Sequence, residues 1–87
     1  MKIKNWVKRS NKPLWYQHIS VLRTGSGIVE VNGGTFSSDG TNRITNYWVI
    51  YDERIGDNRW KRNIRKNLNE KEAKTFALYW MRTHPEG

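Results

Sequence analysis

The sequence predicts an α+β domain, in which an antiparallel β-sheet of three to five strands packs one face against one C-terminal α-helix. Two observations predict this class. Extended segments rich in aromatic and β-branched residues alternate with turn-forming residues between positions 14 and 53. The last part of the chain spaces its apolar residues as a helix does. Because 87 residues leave room for one hydrophobic core, we expect residues 14–87 to form a single domain.

The segment before this domain, residues 1–13, is strongly basic. No acidic residue occurs before position 25, and residues 10–13 contain a loop signal that ends in Pro13. The segment has no clear hydrophobic period. We therefore expect either a basic N-terminal arm or an edge strand anchored by Trp6.

The strands are predicted from alternation and from the turns between them. Alternation begins at Leu14 and continues to Val21, and further extended segments follow at 28–31 and 44–53. A short extended piece is expected at 35–37 and a polar loop at 38–42. Residues 44–53 are apolar or aromatic on both faces, as in a central strand.

Residues 59–66 fit two structures. Alternation places Trp60 and Ile64 on one side of a strand, but Trp60, Ile64 and Leu68 also have the i, i+4 spacing of a helix. Residues 55–58 form a good hairpin connection, and the next element has its own start signal. We therefore predict a strand.

The final helix has clear boundaries in the sequence. Asn69 is a suitable N-cap, and Glu72 follows it at the spacing of a capping box. Pro85 predicts an end near Arg82 or Thr83. The predicted apolar stripe consists of Ala73, Phe76, Ala77, Trp80 and Met81.

The charge of the chain limits its partners. Sixteen Lys and Arg residues against eight Asp and Glu residues give a formal charge of +8, which favours binding to polyanions. Nucleic acid, either DNA or RNA, is the first candidate, and an acidic protein is the alternative. No apolar run approaches the roughly 20 residues that span a bilayer. The basic N-terminus has no apolar stretch behind it, so we expect that it is not a secretion signal. We expect a cytoplasmic protein without a membrane partner.

The predicted binding surface combines one sheet face with the basic N-terminal segment. The helix is expected to cover the side that carries Trp15, Ile19, Val21, Ile44, Trp48, Ile50, Trp60 and Ile64. The other side then presents tyrosines that can stack on unpaired bases and cations that neutralise phosphates. The candidate nucleic-acid-binding residues are Arg59, Lys61, Arg62, Asn63, Arg65, Lys66, Tyr47, Tyr51, Tyr16, Lys2, Lys4, Lys8, Arg9 and Lys12. The alternative is that the tyrosines complete a second small core and the cations only keep the protein soluble.

The sequence indicates no catalysis, metal or cofactor. Its two histidines, His18 and His84, lie far apart without the carboxylates that a metal site needs, and cysteine is absent. Pairing His18 with Glu30 or Asp52 on adjacent strands gives an acid–base pair for RNA cleavage, which is the weakest alternative. The other alternative function is a protein-interaction module, such as a small phage-type or plasmid-type inhibitor that docks on an acidic host protein.

The segment Lys71-Glu72-Ala73, which follows a basic strand, is similar in outline to the segment that opens the final helix in the arm-binding domains of tyrosine recombinases. In that family the sheet enters the DNA major groove, so the resemblance implies a sheet that contacts DNA. The small chromatin proteins of archaea share the plan of a basic sheet and a C-terminal helix, without a shared motif. The resemblance assigns no family.

Overall fold

A computed structural model describes residues 3–33 and 46–87 of the chain. In these ranges the elements are β1 (Trp6–Asn11), β2 (Leu14–His18), a 3₁₀ turn (Ile19–Val21), β3 (Ile28–Asn32), β4 (Tyr47–Gly56), β5 (Arg59–Leu68) and α1 (Glu70–Thr83). The strands form one antiparallel sheet in the order β1-β2-β3-β4-β5. The predicted α+β class is confirmed.

The sheet is a meander, and its outer strands are the two basic segments. Residues 6–11 form β1 at one edge of the sheet, while β5 lies at the other. The predicted strand at 59–66 is confirmed and extends to Leu68. A tight connection joins β4 to β5, and Asn58 in it has a φ of 58°, a left-handed conformation that Asn tolerates.

Two of the predicted strand positions differ from the structure or lie outside it. The strand that begins at Leu14 ends at His18, and Ile19–Val21 form a 3₁₀ turn instead of extending the alternation. Ile19 is consequently exposed, while Val21 is buried. The predicted extended piece at 35–37, the loop at 38–42 and Ile44 lie outside the described residues.

The predicted start of α1 is confirmed. The Asn69 side chain accepts a hydrogen bond from the Glu72 N–H at 2.8 Å, and the Glu72 carboxylate accepts one from the Asn69 N–H at 3.0 Å. Two N-terminal amide groups of the segment are thereby satisfied. The predicted stripe faces the sheet: Ala73, Ala77 and Met81 are fully buried.

Replacing Asn69 with Ala removes an acceptor from the helix start. We expect the free energy of unfolding to fall by about 1 kcal/mol, measured by urea denaturation followed by circular dichroism. Asn69→Asp is the matched control, since it keeps the acceptor and adds a negative charge beside the positive end of the helix dipole. Equal losses in the two variants would contradict this role for Asn69.

The face of the sheet that α1 covers is determined by β3. After Ile28 this strand alternates the valines 29 and 31 with the polar residues Glu30 and Asn32, so one of its faces is clearly the more apolar. The register pairs Val29 with Tyr16 on one side and with Tyr51 on the other, and it pairs Val31 with Val49. Burying the valines therefore buries the tyrosine side of β2 and β4 as well.

The expected assignment of the two sheet faces is wrong for most of the residues, although Val21 is buried and Trp60 packs against the core. Tyr16 is only 8% exposed, and Tyr47 packs against the core. The ring of Tyr51 lies 5.0 Å from that of Phe76 and 4.7 Å from that of Trp80, between centroids. Trp15, Trp48, Ile50 and Ile64 lie on the face opposite α1. The segment predicted as a strand at 44–53 is apolar on both faces, so its own pattern does not choose between them.

No helix within the described ranges is long and apolar enough to cross a membrane.

Candidate nucleic-acid interface

The sheet face that points away from α1 carries a loop at one end, formed by residues 19–27. Gln17 is buried and holds this loop. Its side-chain nitrogen lies 2.8, 2.7 and 3.0 Å from the carbonyl oxygens of Val21, Thr24 and Ser26. The loop is thus fixed in place over this end of the face.

An ion pair between the buried Asp52 and the exposed Arg62 lies beside the same loop. Asp52 is 1% exposed and accepts two hydrogen bonds from Arg62, Nε to Oδ1 at 2.8 Å and Nη2 to Oδ2 at 3.0 Å. Asp52 also accepts the backbone N–H of Ile28 at 3.2 Å, and Arg62 donates to the Gly25 carbonyl at 3.2 Å. Hydrogen bonding to the carboxylate raises the pKa of the Arg62 guanidinium, against the opposing effect of its partial burial.

The other end of this face is accessible and largely apolar. The strand register aligns four of its side chains in one row across β2 to β5, and two more lie in the next row. Trp48 is 38% exposed and Ile64 is 53% exposed. Large apolar side chains in such a continuous strip often mark a binding site. We call this strip the open face, and it consists of Trp15, Glu30, Trp48, Ile50, Ile64 and Lys66.

Each tryptophan of the open face has a cation next to it. The Arg9 guanidinium carbon lies 5.6 Å from the centroid of the Trp15 ring. Lys66 and Trp48 line one shallow cavity of about 370 Å³, together with Ile64 and the two asparagines 46 and 67. An aromatic surface next to a positive charge therefore occurs twice on this face.

The strand β5 concentrates positive charge at one edge of the sheet. Its cations are Arg59, Lys61, Arg62, Arg65 and Lys66, and all five are exposed. Among the described residues, Arg62 is the only one of these that forms a salt bridge. Arg65 lies on the helix side, 4.8 Å above the Phe76 ring, and Asn63 is 3.5 Å from the Glu53 carboxylate. Most of the charge on this strand is thus not neutralised by neighbouring carboxylates in the described structure.

The N-terminal basic segment is divided between the two faces. Arg9 lies at a bulge in β1 and reaches Trp15. Lys4 and Lys8 instead line a groove of about 610 Å³ on the helix side, which also contains Tyr16 and Arg82. The two sets of cations therefore do not form one surface.

The remaining N-terminal candidates lie at the margin of the described structure. Lys12 is exposed in the turn between β1 and β2, and Lys2 lies outside the described residues. With neighbouring strands about 4.8 Å apart, β1 and β5 are separated by roughly 19 Å. The two basic segments thus occupy opposite edges of the sheet, with the open face between them.

The open face contains functional candidates that the sequence pattern did not identify. The accessible aromatic residues are Trp15 and Trp48, because the predicted tyrosines 16, 47 and 51 lie beneath α1. The signal that could have located them is the alternation in β3, because only the Val29 and Val31 side of that strand is apolar. The predicted tyrosine surface is therefore corrected to a tryptophan surface.

The proposed acid–base pairs are not brought together. His18 lies on the helix side and is buried, with Nδ1 2.7 Å from the Ser20 hydroxyl and Nε2 2.9 Å from the Pro85 carbonyl oxygen. Glu30 and Asp52 lie on the opposite side of the sheet. His18 therefore serves packing and hydrogen bonding between β2 and the end of the chain.

In the ranges 3–33 and 46–87, no group of three or more His, Asp or Glu side chains could hold a metal ion. Comparisons of the chain with protein-family models, with curated proteins and with solved structures found no match.

Proposed function

We propose that the chain is a small non-catalytic nucleic-acid-binding protein, whose binding surface comprises the open face and the exposed cations of β1 and β5 other than Arg62, which is paired with Asp52. The observation that carries this proposal is the uncompensated positive charge of β5. Among the described residues only Arg62 of the five cations on this strand forms a salt bridge, and Lys61 stands opposite Glu53 in the hairpin register. A strand of this kind attracts phosphates, and the formal charge of +8 extends that attraction over the whole chain.

The position of the cations supports binding at the open face. Arg9 at one edge and Lys66 at the other stand beside tryptophans of this face. Phosphates held by these cations would bring bases or sugars onto the apolar surface between them. The negative side chain within the surface, Glu30, is hydrogen-bonded to the Asn32 amide at 2.9 Å.

The direct test is a titration of labelled DNA and RNA, duplex and single-stranded, at several salt concentrations. We expect binding at low salt that weakens linearly in a plot of log K against log[salt]. The slope should be about 0.9 per phosphate neutralised on a duplex and about 0.7 on a single strand. Absence of binding to every one of these probes at low salt would refute the proposal.

Two charge reversals on β5 should weaken binding and reduce its salt dependence. Arg59 and Lys66 are exposed at the two ends of the strand. In the variant Arg59→Glu/Lys66→Glu we expect the slope to decrease by about 2, since each lost phosphate contact removes roughly one. Lys71→Glu/Lys74→Glu on the outer side of α1 is the matched control, because it changes the net charge equally. Equal effects in both variants would show that only total charge matters.

A protein-interaction module is the second candidate function, and the exposure of Trp48 and Ile64 favours it. Interfaces use large apolar and aromatic side chains in the same way as nucleic-acid surfaces do. The two candidates are separated by affinity capture with and without nuclease. A defined partner protein that stays bound after nuclease treatment and at high salt would favour the interaction module.

A further inference from the structure

We infer that the ligand of the open face is a single-stranded nucleic acid that crosses the strands of the sheet, with bases stacked on Trp48 and Trp15. This inference rests on the proposed function and narrows its substrate class. A surface that binds single strands needs accessible aromatic rings with cations near them. It must also fit a duplex less well.

The cavity beside Trp48 has the composition of a nucleotide subsite. It is lined by Trp48, Ile64 and Tyr47 together with Lys66, Asn46 and Asn67. A flat base can stack on the indole while its phosphate meets the lysine, and stacking of this type is largely independent of sequence. Amide side chains at the margin add donors and acceptors for base edges.

The neighbourhood of Trp15 repeats this arrangement two strands away. Its ring is half-buried and has the Arg9 guanidinium 5.6 Å from its centroid. Trp15 is on β2 and Trp48 on β4, so the two lie roughly 10 Å apart across the sheet. On β3, the strand between them, Glu30 is paired with Trp15 and Asn32 is paired with Trp48. A flexible single-stranded nucleic acid can place bases on both tryptophans at this spacing, with one cation available beside each ring.

A duplex matches this face poorly for two reasons. Five strands span roughly 19 Å, whereas the major groove of B-DNA is about 12 Å wide and admits a helix or a two-stranded ribbon. A duplex also keeps its bases stacked internally. Its phosphates would then lie against Ile50 and Ile64, whose side chains offer no compensating hydrogen bonds.

Charge also argues against a second copy of the chain as the occupant. Two copies that meet through their open faces would bring together two molecules of formal charge +8, with Arg9 and Lys66 at the margins of both. Like charges at an interface oppose association. A polyanion has the complementary sign.

The test compares an oligothymidylate, an oligouridylate and a duplex of equal total charge at one salt concentration. We expect the single strands to bind more tightly than the duplex and to quench tryptophan fluorescence. Trp48→Ala should weaken single-strand binding roughly 5- to 150-fold while leaving the salt slope unchanged, because no phosphate contact is lost. Trp48→Phe should restore part of the affinity, and thermal unfolding of each variant verifies folding.

Tyr79→Ala is the matched control, because Tyr79 is an aromatic residue that is 63% exposed on α1, away from the open face. It should leave single-strand binding unchanged. Duplex binding equal to or tighter than single-strand binding, or unchanged single-strand affinity in Trp48→Ala, would overturn the inference while leaving the proposed function standing. The inference would also be overturned if sedimentation showed a dimer and Trp48 lay in its interface. Failure of every probe to bind would refute the proposed function itself.

Discussion

Replacing Trp6 with Ala should reduce the free energy of unfolding by about 3–5 kcal/mol, as expected for a buried aromatic residue that leaves a cavity. Trp6 is buried at the start of β1. Its indole N–H donates to the His84 carbonyl oxygen at 3.0 Å, and its ring meets that of His18 edge-on at 5.0 Å between centroids. The variant loses the packing and also leaves a carbonyl oxygen without this donor.

The effect should be large because Trp6 joins two distant parts of the chain. Next to it, the Asn5 side chain donates to the Pro85 carbonyl oxygen at 2.9 Å. These contacts connect β1 to the segment that follows α1. A domain of this size changes its melting temperature by about 4–8 °C per kcal/mol, so the expected shift is roughly 12–40 °C.

The Trp6 prediction is checked by differential scanning calorimetry. Trp6→Phe is the informative companion, since it keeps an aromatic ring but removes the N–H donor. We expect its melting temperature to lie between those of Trp6→Ala and the unmodified protein. A Trp6→Ala protein that melts within a few degrees of the unmodified one would show that β1 contributes little to the stability of the domain.

The elements with local signals were predictable from the sequence. Asn69 and Glu72 specify the start of α1 through their own hydrogen bonds, and the spacing of Ala73, Ala77 and Met81 specifies its buried side. The hairpin between β4 and β5 follows from its turn residues. In each case the atoms that determine the structure are only a few residues apart.

The assignment of sheet faces was not predictable from β4, because Tyr47, Val49 and Tyr51 are as suitable for a core as Trp48 and Ile50 on the other side. The choice depends on which strand lies next to β4. Its neighbour β3 has one apolar face, and the register transfers that preference to β4. Long-range pairing therefore decides which aromatic residues remain accessible.

The candidate site was predictable in part for the same reason. Charge counts along the sequence identify two basic segments, but only the strand order places them at opposite edges of the sheet. The aromatic residues between these edges are the tryptophans of the open face, and the predicted tyrosines are in the core. The ion pair of Arg62 also depends on register, since Asp52 is its partner in the hairpin.

Replacing Arg62 with Met should destabilise the protein by about 2–3 kcal/mol. The substitution leaves the carboxylate of Asp52, which is 1% exposed, without its counter-charge. The Ile28 N–H then remains as its one donor among the described residues. Removing one partner of a fully buried pair costs about 3–5 kcal/mol. The smaller figure is expected because the Arg62 side chain is 49% exposed, so water can partly replace the guanidinium.

A double-mutant cycle separates the cost of leaving the Asp52 carboxylate unpaired from the interaction energy between Asp52 and Arg62. The double variant Asp52→Leu/Arg62→Met should be more stable than Arg62→Met alone, because it removes the uncompensated charge, although the Ile28 N–H loses its acceptor. Urea denaturation of the four proteins measures the cycle. A double variant less stable than Arg62→Met would contradict the explanation.

Arg62→Met also tests which cations would contact nucleic acid in the proposed complex. The Arg62 guanidinium is committed to Asp52 and to the Gly25 carbonyl, whereas Lys66 lines the cavity beside Trp48. Under conditions where Arg62→Met remains folded, we expect its salt slope for nucleic-acid binding to match that of the unmodified protein. The slope of Lys66→Met should be lower by about 1. Equal decreases in the two variants would show that Arg62 leaves its ion pair to bind phosphate.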